Sequence, residues 1–127
     1  VERITSHKVN GLNKTLEISV LDEPGKGNAC HAYTIYCPND EFNEELNGSV
    51  ICNIGFQKGP IQEVGVNGIS NEALLAVVEH RLQGFQSGEY ACRENALALT
   101  KLQEAMMWLH KRTRDRVARG VEGTYEK

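Results

Sequence analysis

The stretch CRENALALTKLQEAMMWLHKRTRDRVARG, residues 92–120, decides the fold. It has no proline, and its single glycine is its last residue. Ala98, Leu99, Leu102, Ala105, Met106 and Leu109 fall on one face at about 100° per residue, the period of an α-helix. The pattern predicts one helix from about Cys92 to Arg119, stopped at Gly120 and about 40 Å long at about 1.5 Å per residue. Asn95 opens the apolar face. Thr113 and Arg116 close it, with Arg112 on its edge. The core stripe therefore begins and ends in polar groups that point the way core residues point.

Upstream of this helix, Ser70 is a good N-cap and Glu72 sits in the following first turn. Leu74, Leu75, Val77, Val78, Leu82 and Phe85 follow at helical spacing, and Gln86-Ser87-Gly88 breaks the pattern. Two helices with a short connection form an antiparallel hairpin. The longer one must project beyond its partner, so its exposed apolar positions call for another subunit.

Before Gly59 and Pro60 the period is two. Leu16, Ile18 and Val20 alternate, as do Val50, Cys52, Ile54 and Phe56, and residues 31–37 are rich in β-formers. Asp40 to Gly48 is polar and ends in Asn47-Gly48, a hairpin loop by its composition. Alternation between turn signals predicts an antiparallel sheet with one face buried. The expected fold class is α+β in a single domain, 1–127. An N-terminal antiparallel β-sheet (1–59) packs with a C-terminal antiparallel two-helix hairpin (60–127), and the long helix makes the oligomer.

The 127 residues, 40% of them hydrophobic, suffice for one domain with a core. No apolar run approaches the roughly 18 residues of a membrane span, and no signal-peptide pattern is present. Cys30, Cys37, Cys52 and Cys92 form no C-x-x-C pair and read as buried, reduced thiols. His7, His31, His80 and His110 are scattered, so the paired spacing of a zinc site is absent and no metal or cofactor is expected. The net charge of -3 disfavours long nucleic acid, whose affinity rests on many phosphate contacts. There is no P-loop, no G-x-G-x-x-G, no H-E-x-x-H and no nucleophile–base set, so binding without turnover is the simpler reading.

Against that acidic background, residues 108–120 hold Lys111, Arg112, Arg114, Arg116 and Arg119. Two readings fit. In one, basic residues near a helix C-terminus complement the macrodipole, with Lys111 and Asp115 as a surface pair at i, i+4. In the other, Arg112 and Arg116 form a fork for a phosphate or pyrophosphate, since planar guanidinium donors bind phosphate oxygens in pairs. Phe85 is either the last core rung of its helix or a stacking surface for a base. Asn95 is either a solvated amide or a hydrogen-bonding partner for a base edge. The Phe85 and Asn95 end lies about 25–30 Å along the helix from Arg112 and Arg116, so one copy cannot close a small site from both ends. Two antiparallel long helices can. Val66, Asn67 and Gly68, in the segment opened by Gly65, are either an ordinary turn or a mobile lid.

The runs GVNGISNEALL (65–75), RLQGFQSG (81–88), CRENALALTK (92–101), WLHKRTRDR (108–116) and RGVEGT (119–124) resemble the helical hairpin of bacteriophage proteins. That hairpin is shared by the anti-Thoeris sponge family and a phage anti-CBASS sponge. The strand-rich first half, with a weaker likeness around NACHAY (28–33), makes the anti-Thoeris family the nearer match. The resemblance implies a non-enzymatic sponge that sequesters cyclic ADP-ribose isomers made by bacterial TIR-domain enzymes, in the host cytoplasm during phage infection. By motif, Phe85 and Asn95 fall where the family contacts adenine. Arg112 and Arg116 fall where it contacts phosphates, with Thr113 nearby. Some members also hold cyclic di- or trinucleotides at a separate site, in a hexamer built as a trimer of dimers. A nucleic-acid-binding phage regulator and a structural oligomer are the alternatives.

Overall fold

The computed structural model describes residues 2–39, 45 and 48–127. The chain forms two compact units, Val1–Lys58 and Gly59–Lys127.

The first unit is an antiparallel meander in the order β1 (Glu2–Ile4), β2 (Glu17–Val20), β3 (Ala32–Cys37), β4 (Ser49–Gly55), with a short helix α1 (Gly11–Thr15) between β1 and β2. Register brings Val20, Tyr33 and Ile54 into one cross-strand row and Ile18, Ile35 and Cys52 into the next. Tyr33 also meets Phe56 edge to face at 5.7 Å between ring centroids, a favoured aromatic geometry. Ser19 and Val20, which point to opposite faces of β2, are both buried. Most of β4 is exposed, so the expected burial of one whole face does not extend to it. A register shift at Ile35/Tyr36 pairs Tyr36 with Val50 and leaves Ile51 unpaired in the ladder. That bulge takes Val50 out of the row its alternation with Cys52 had suggested. Most of the expected hairpin loop, Asp40 to Gly48, lies outside the described residues. Of the thiols, Cys37 is buried and Cys30 half-buried, whereas Cys52 and Cys92 are exposed. Exposed edge and cap positions carry no apolar signature that distinguishes them in sequence.

One carboxylate organises the loop between β2 and β3. Asp22 accepts the backbone N–H groups of His31 (2.9 Å) and Ala32 (3.0 Å). These hydrogen bonds, that from Ala32 foremost, hold its carboxyl below the usual value against the opposing effect of desolvation. Gly25 lies beside it for lack of a side chain: a Cβ there would stand 2.7 Å from His31 Cε1.

The second unit opens with α2 (Ile61–Val64), then α3 (Asn71–Gln86) and α4 (Arg93–Ala118) pack as a hairpin. The Ser70 side chain accepts from Ala73 N–H at 3.0 Å, as its N-cap reading expects. Cys92 caps α4 through sulfur, accepting from Asn95 N–H at 3.4 Å, while the Gln86 side chain accepts from Cys92 N–H at 3.0 Å. Gly120, at φ 73°, ends α4. Val121 N–H reaches Arg116 O at 3.0 Å and Gly120 N–H reaches Val117 O at 3.0 Å, the paired bonds of a Schellman cap.

Leu74, Leu75 and Leu82 of α3 are half-buried, whereas Val77, Val78 and Phe85 are exposed. On α4 the least exposed positions are Asn95, Leu99, Leu102, Met106, Leu109, Thr113 and Arg116, at alternating spacings of four and three. Ala98 and Ala105, expected on the core face, are exposed. A single partner helix covers only a narrow seam of that spacing, so residues on its flanks stay open.

The Asp22 contact has a sign that acid can read. A carboxyl held low in the folded chain stabilises it above about pH 4, the ordinary value, and that contribution disappears as pH falls through the depressed folded value. Asp22→Asn should therefore lower the urea midpoint of the chain at pH 7, with the gap to the parent narrowing between about pH 5 and pH 2. A gap independent of pH would contradict the assignment.

Candidate functional site

The C-terminal turns of α4 line an open groove of about 940 Å³ that includes Trp108, Arg112, Asp115, Arg116, Arg119 and Lys127. Lys111 lines it as well, so the groove carries five cations and one carboxylate. The first unit offers a contrasting cavity of about 220 Å³, which carries the carboxylates of Glu2, Asp22 and Glu23. Burial, and then those same carboxylates, push the thiol of Cys30 up there, as expected for a site that disfavours negative charge. Of the two, the α4 groove is the one suited to an anion.

Within the groove the cations differ in what they already hold. Lys111 Nζ pairs with Asp115 Oδ2 at 2.7 Å, the surface i, i+4 pair expected from sequence. Arg119 donates from Nη2 to Lys127 O. Arg112 is exposed and has no hydrogen bond or ion pair among the described residues. Thr113 donates its hydroxyl to Leu109 O at 3.2 Å and keeps its acceptor capacity.

Arg116 is the buried member, 7% exposed. Its Nε donates to Glu122 Oε2 at 3.0 Å, Nη1 to Glu126 O at 2.5 Å, and Nη2 to Val121 O at 2.8 Å and Thr124 O at 3.0 Å. This guanidinium therefore holds the segment after α4 against the helix. Gln62 of α2 grips the same segment from another side, through Gln62 N–H to Gly123 O at 3.2 Å and Nε2 to Glu122 O at 2.7 Å. Gly123 is required there twice over. Its φ is 80°, and a Cβ would stand 2.9 Å from Ile61 Cγ1. Arg112 and Arg116 are thus one turn apart on α4 but not equivalent: one is open to an anion and the other is committed to backbone carbonyls.

At the opposite end, Phe85 is 41% exposed on the last turn of α3, with the guanidinium of Arg81 5.5 Å from its ring centroid. Asn95 is half-buried one turn into α4, and its side-chain amide makes no hydrogen bond among the described residues. The structure brings Arg112, Thr113 and Arg116 together. It does not bring Phe85 and Asn95 to them, since about 26 Å of helix separates Asn95 from Arg112. Val66, Asn67 and Gly68 lie in the connection between α2 and α3, after Gly65 at φ 72°. The Arg81 contact and the acceptors of Arg116 were missed in sequence. The i, i+4 spacing of Arg81 and Phe85 was the available signal for the first.

A sequence model of the Acb2/Tad1 hairpin domain matches residues 49–114. Thoeris anti-defense 1 of Bacillus phage SBSphiJ7 is 58% identical over 77 residues, covering 61% of this chain and 54% of that protein. The chain spans about half the length of the relative it matches.

The two arginines separate by stability. Arg116→Ala should cost on the order of 3 kcal/mol, because it leaves the Glu122 carboxylate and the carbonyls of Thr124 and Glu126 without their guanidinium donor, while Val121 O keeps its bonds from Thr124. Amide exchange at Thr124 and Glu126 should accelerate with it. Arg112→Ala should change stability by no more than about 0.5 kcal/mol. Equal melting temperatures for the two variants would contradict the assignment of Arg116 as the structural cation.

Proposed function

The chain belongs to the Acb2/Tad1 hairpin-domain family, and on that premise we propose that it is a phage-encoded sponge that blocks bacterial Thoeris defence. It sequesters cyclic ADP-ribose-type nucleotides made by TIR-domain enzymes and binds them without cleavage, in the host cell during infection. The observation that carries this reading is the exposed, unpartnered guanidinium of Arg112 in a cationic groove on a chain of net charge -3. A local basic groove on an acidic chain favours a small anion over a polyanion, whose long backbone would also meet the acidic surface. No helix among the described residues is long and apolar enough to cross a membrane.

In this reading Phe85 stacks on the adenine and Asn95 bonds its edge. Arg112 binds the pyrophosphate, with Thr113 as a further polar contact. Arg116 completes the phosphate end by fixing the segment after α4 and by the positive charge it places beneath Arg112. Because one hairpin holds the two ends about 26 Å apart, the complete site forms between two copies with antiparallel α4 helices. Exposed Leu97, Met107 and Trp108 on α4 supply apolar area for such a pairing. Val66, Asn67 and Gly68 act as the lid. Assembly of dimers into a hexamer creates the separate site for cyclic di- or trinucleotides known for some members.

The test is a calorimetry panel of cyclic ADP-ribose isomers, linear ADP-ribose, and cyclic di- and trinucleotides. A cyclic ADP-ribose isomer should bind tightest among the ADP-ribose compounds. Arg112→Ala should weaken it by about 10- to 100-fold, the range for losing hydrogen bonds between a cation and a phosphate. Undiminished affinity in that variant would move the phosphate site elsewhere, and no binding to any member of the panel would overturn the sponge reading.

A further inference from the structure

An exposed phenylalanine on a helix samples several rotamers, and a ring that must be immobilised first binds a flat ligand less tightly. The ring of Phe85 is already held. Arg81 stands one helical turn earlier on α3 and places its guanidinium carbon 5.5 Å from the ring centroid. The i, i+4 spacing is what brings the two side chains together on one helix face. Arg81 has no ion pair among the described residues, so the cation is spent on the ring and not on a carboxylate. Phe85 is 41% exposed, so part of its surface is open to solvent. Position 84 is glycine, where a Cβ would meet nothing within 4 Å, and position 88, three residues after Phe85, is also glycine. A cation therefore stands over Phe85 while part of the residue stays exposed.

We propose that Arg81 is the positioning residue for base recognition: it clamps the ring of Phe85 from one face so that the other face receives a purine. The proposal rests on the sponge reading of this site. A cation against an aromatic face is favourable at an exposed position, and stacking on the opposite face leaves that contact intact. The base meets a ring biased toward one rotamer, so part of the ordering that would otherwise oppose stacking is done before the ligand arrives. Arg81 contacts the ligand only through Phe85, so its effect must vanish when the aromatic ring does.

Two measurements on the full chain decide it. In the ligand-free protein with ring-labelled phenylalanine, Arg81→Ala should shift the Phe85 ring signals, which are one set of three in this chain. In calorimetry with the tightest-binding cyclic ADP-ribose isomer, Arg81→Ala should weaken binding about three- to fivefold, the scale of a surface cation–π contact. Arg81→Lys should recover part of that loss, and the melting temperature should stay within about 1 °C, as for other exposed substitutions. In a Phe85→Leu background, Arg81→Ala should cost nothing further. Unshifted Phe85 signals overturn the proposal, and so does an equal loss with and without the ring, which would make Arg81 a general electrostatic contributor. If the parent chain binds no nucleotide, the sponge reading and the ligand half of this proposal fall, while the ring signals still decide whether Arg81 holds Phe85.

Discussion

The hairpin is built from helices of unequal length, and everything at its basic end follows from that. α3 has 16 residues and α4 has 26, so 26 − 16 = 10 residues of α4 have no helical partner. That is about 15 Å of seam. The chain fills it with its own next segment. Arg116, at the last position of the seam, turns a guanidinium into the gap and satisfies it with the carbonyls of Val121, Thr124 and Glu126 and the carboxylate of Glu122. A buried cation without such partners would be strongly destabilising. Glycine at 120 turns the chain and glycine at 123 lets it lie against α2. The end of α4 becomes a firm base on which Arg112 stands exposed.

That arrangement explains how an acidic chain presents a cationic groove. Successive turns of one helix divide the labour: Arg116 faces the seam and fixes the scaffold, while Arg112 faces water and remains available. Lys111 is offset by Asp115, which lowers the groove's net positive charge. At the other end of the hairpin, the Arg81 guanidinium stands over the ring of Phe85, and in the proposed clamp they make the same division, one holding and one offered. The rigid separation of the two ends, set by helix geometry, is the reason the functional reading requires two copies.

Much of this was legible in the sequence because it is local. The expected ends of α4, Cys92 and Arg119, lie within a residue of the observed Arg93–Ala118, Ser70 caps α3, and Lys111 pairs with Asp115. The polar ends of the seam, Asn95, Thr113 and Arg116, were also readable from the 3.6-residue period. Other features were not legible. The acceptors of Arg116 are backbone carbonyls, which have no sequence signature, so its spacing from Arg112 suggested a symmetric fork. β1, α1 and α2 have three, five and four residues, too few to show a period. The shift at Ile35/Tyr36 depends on pairing across strands, which alternation along one strand does not encode. Val77, Val78 and Ala98 fit the apolar pattern yet lie outside the seam, because pattern records compatibility with burial and not the width of the partner.

The central claim, capture of a cyclic nucleotide without chemistry, is tested most directly by catch and release. The chain is saturated with the tightest-binding cyclic ADP-ribose isomer, freed of unbound ligand and denatured, and the released nucleotide is analysed by mass and chromatographic retention. The account predicts recovery of the intact cyclic compound, in an amount that Arg112→Ala strongly reduces. Recovery of linear ADP-ribose or another cleaved product would contradict it and make the groove an active site.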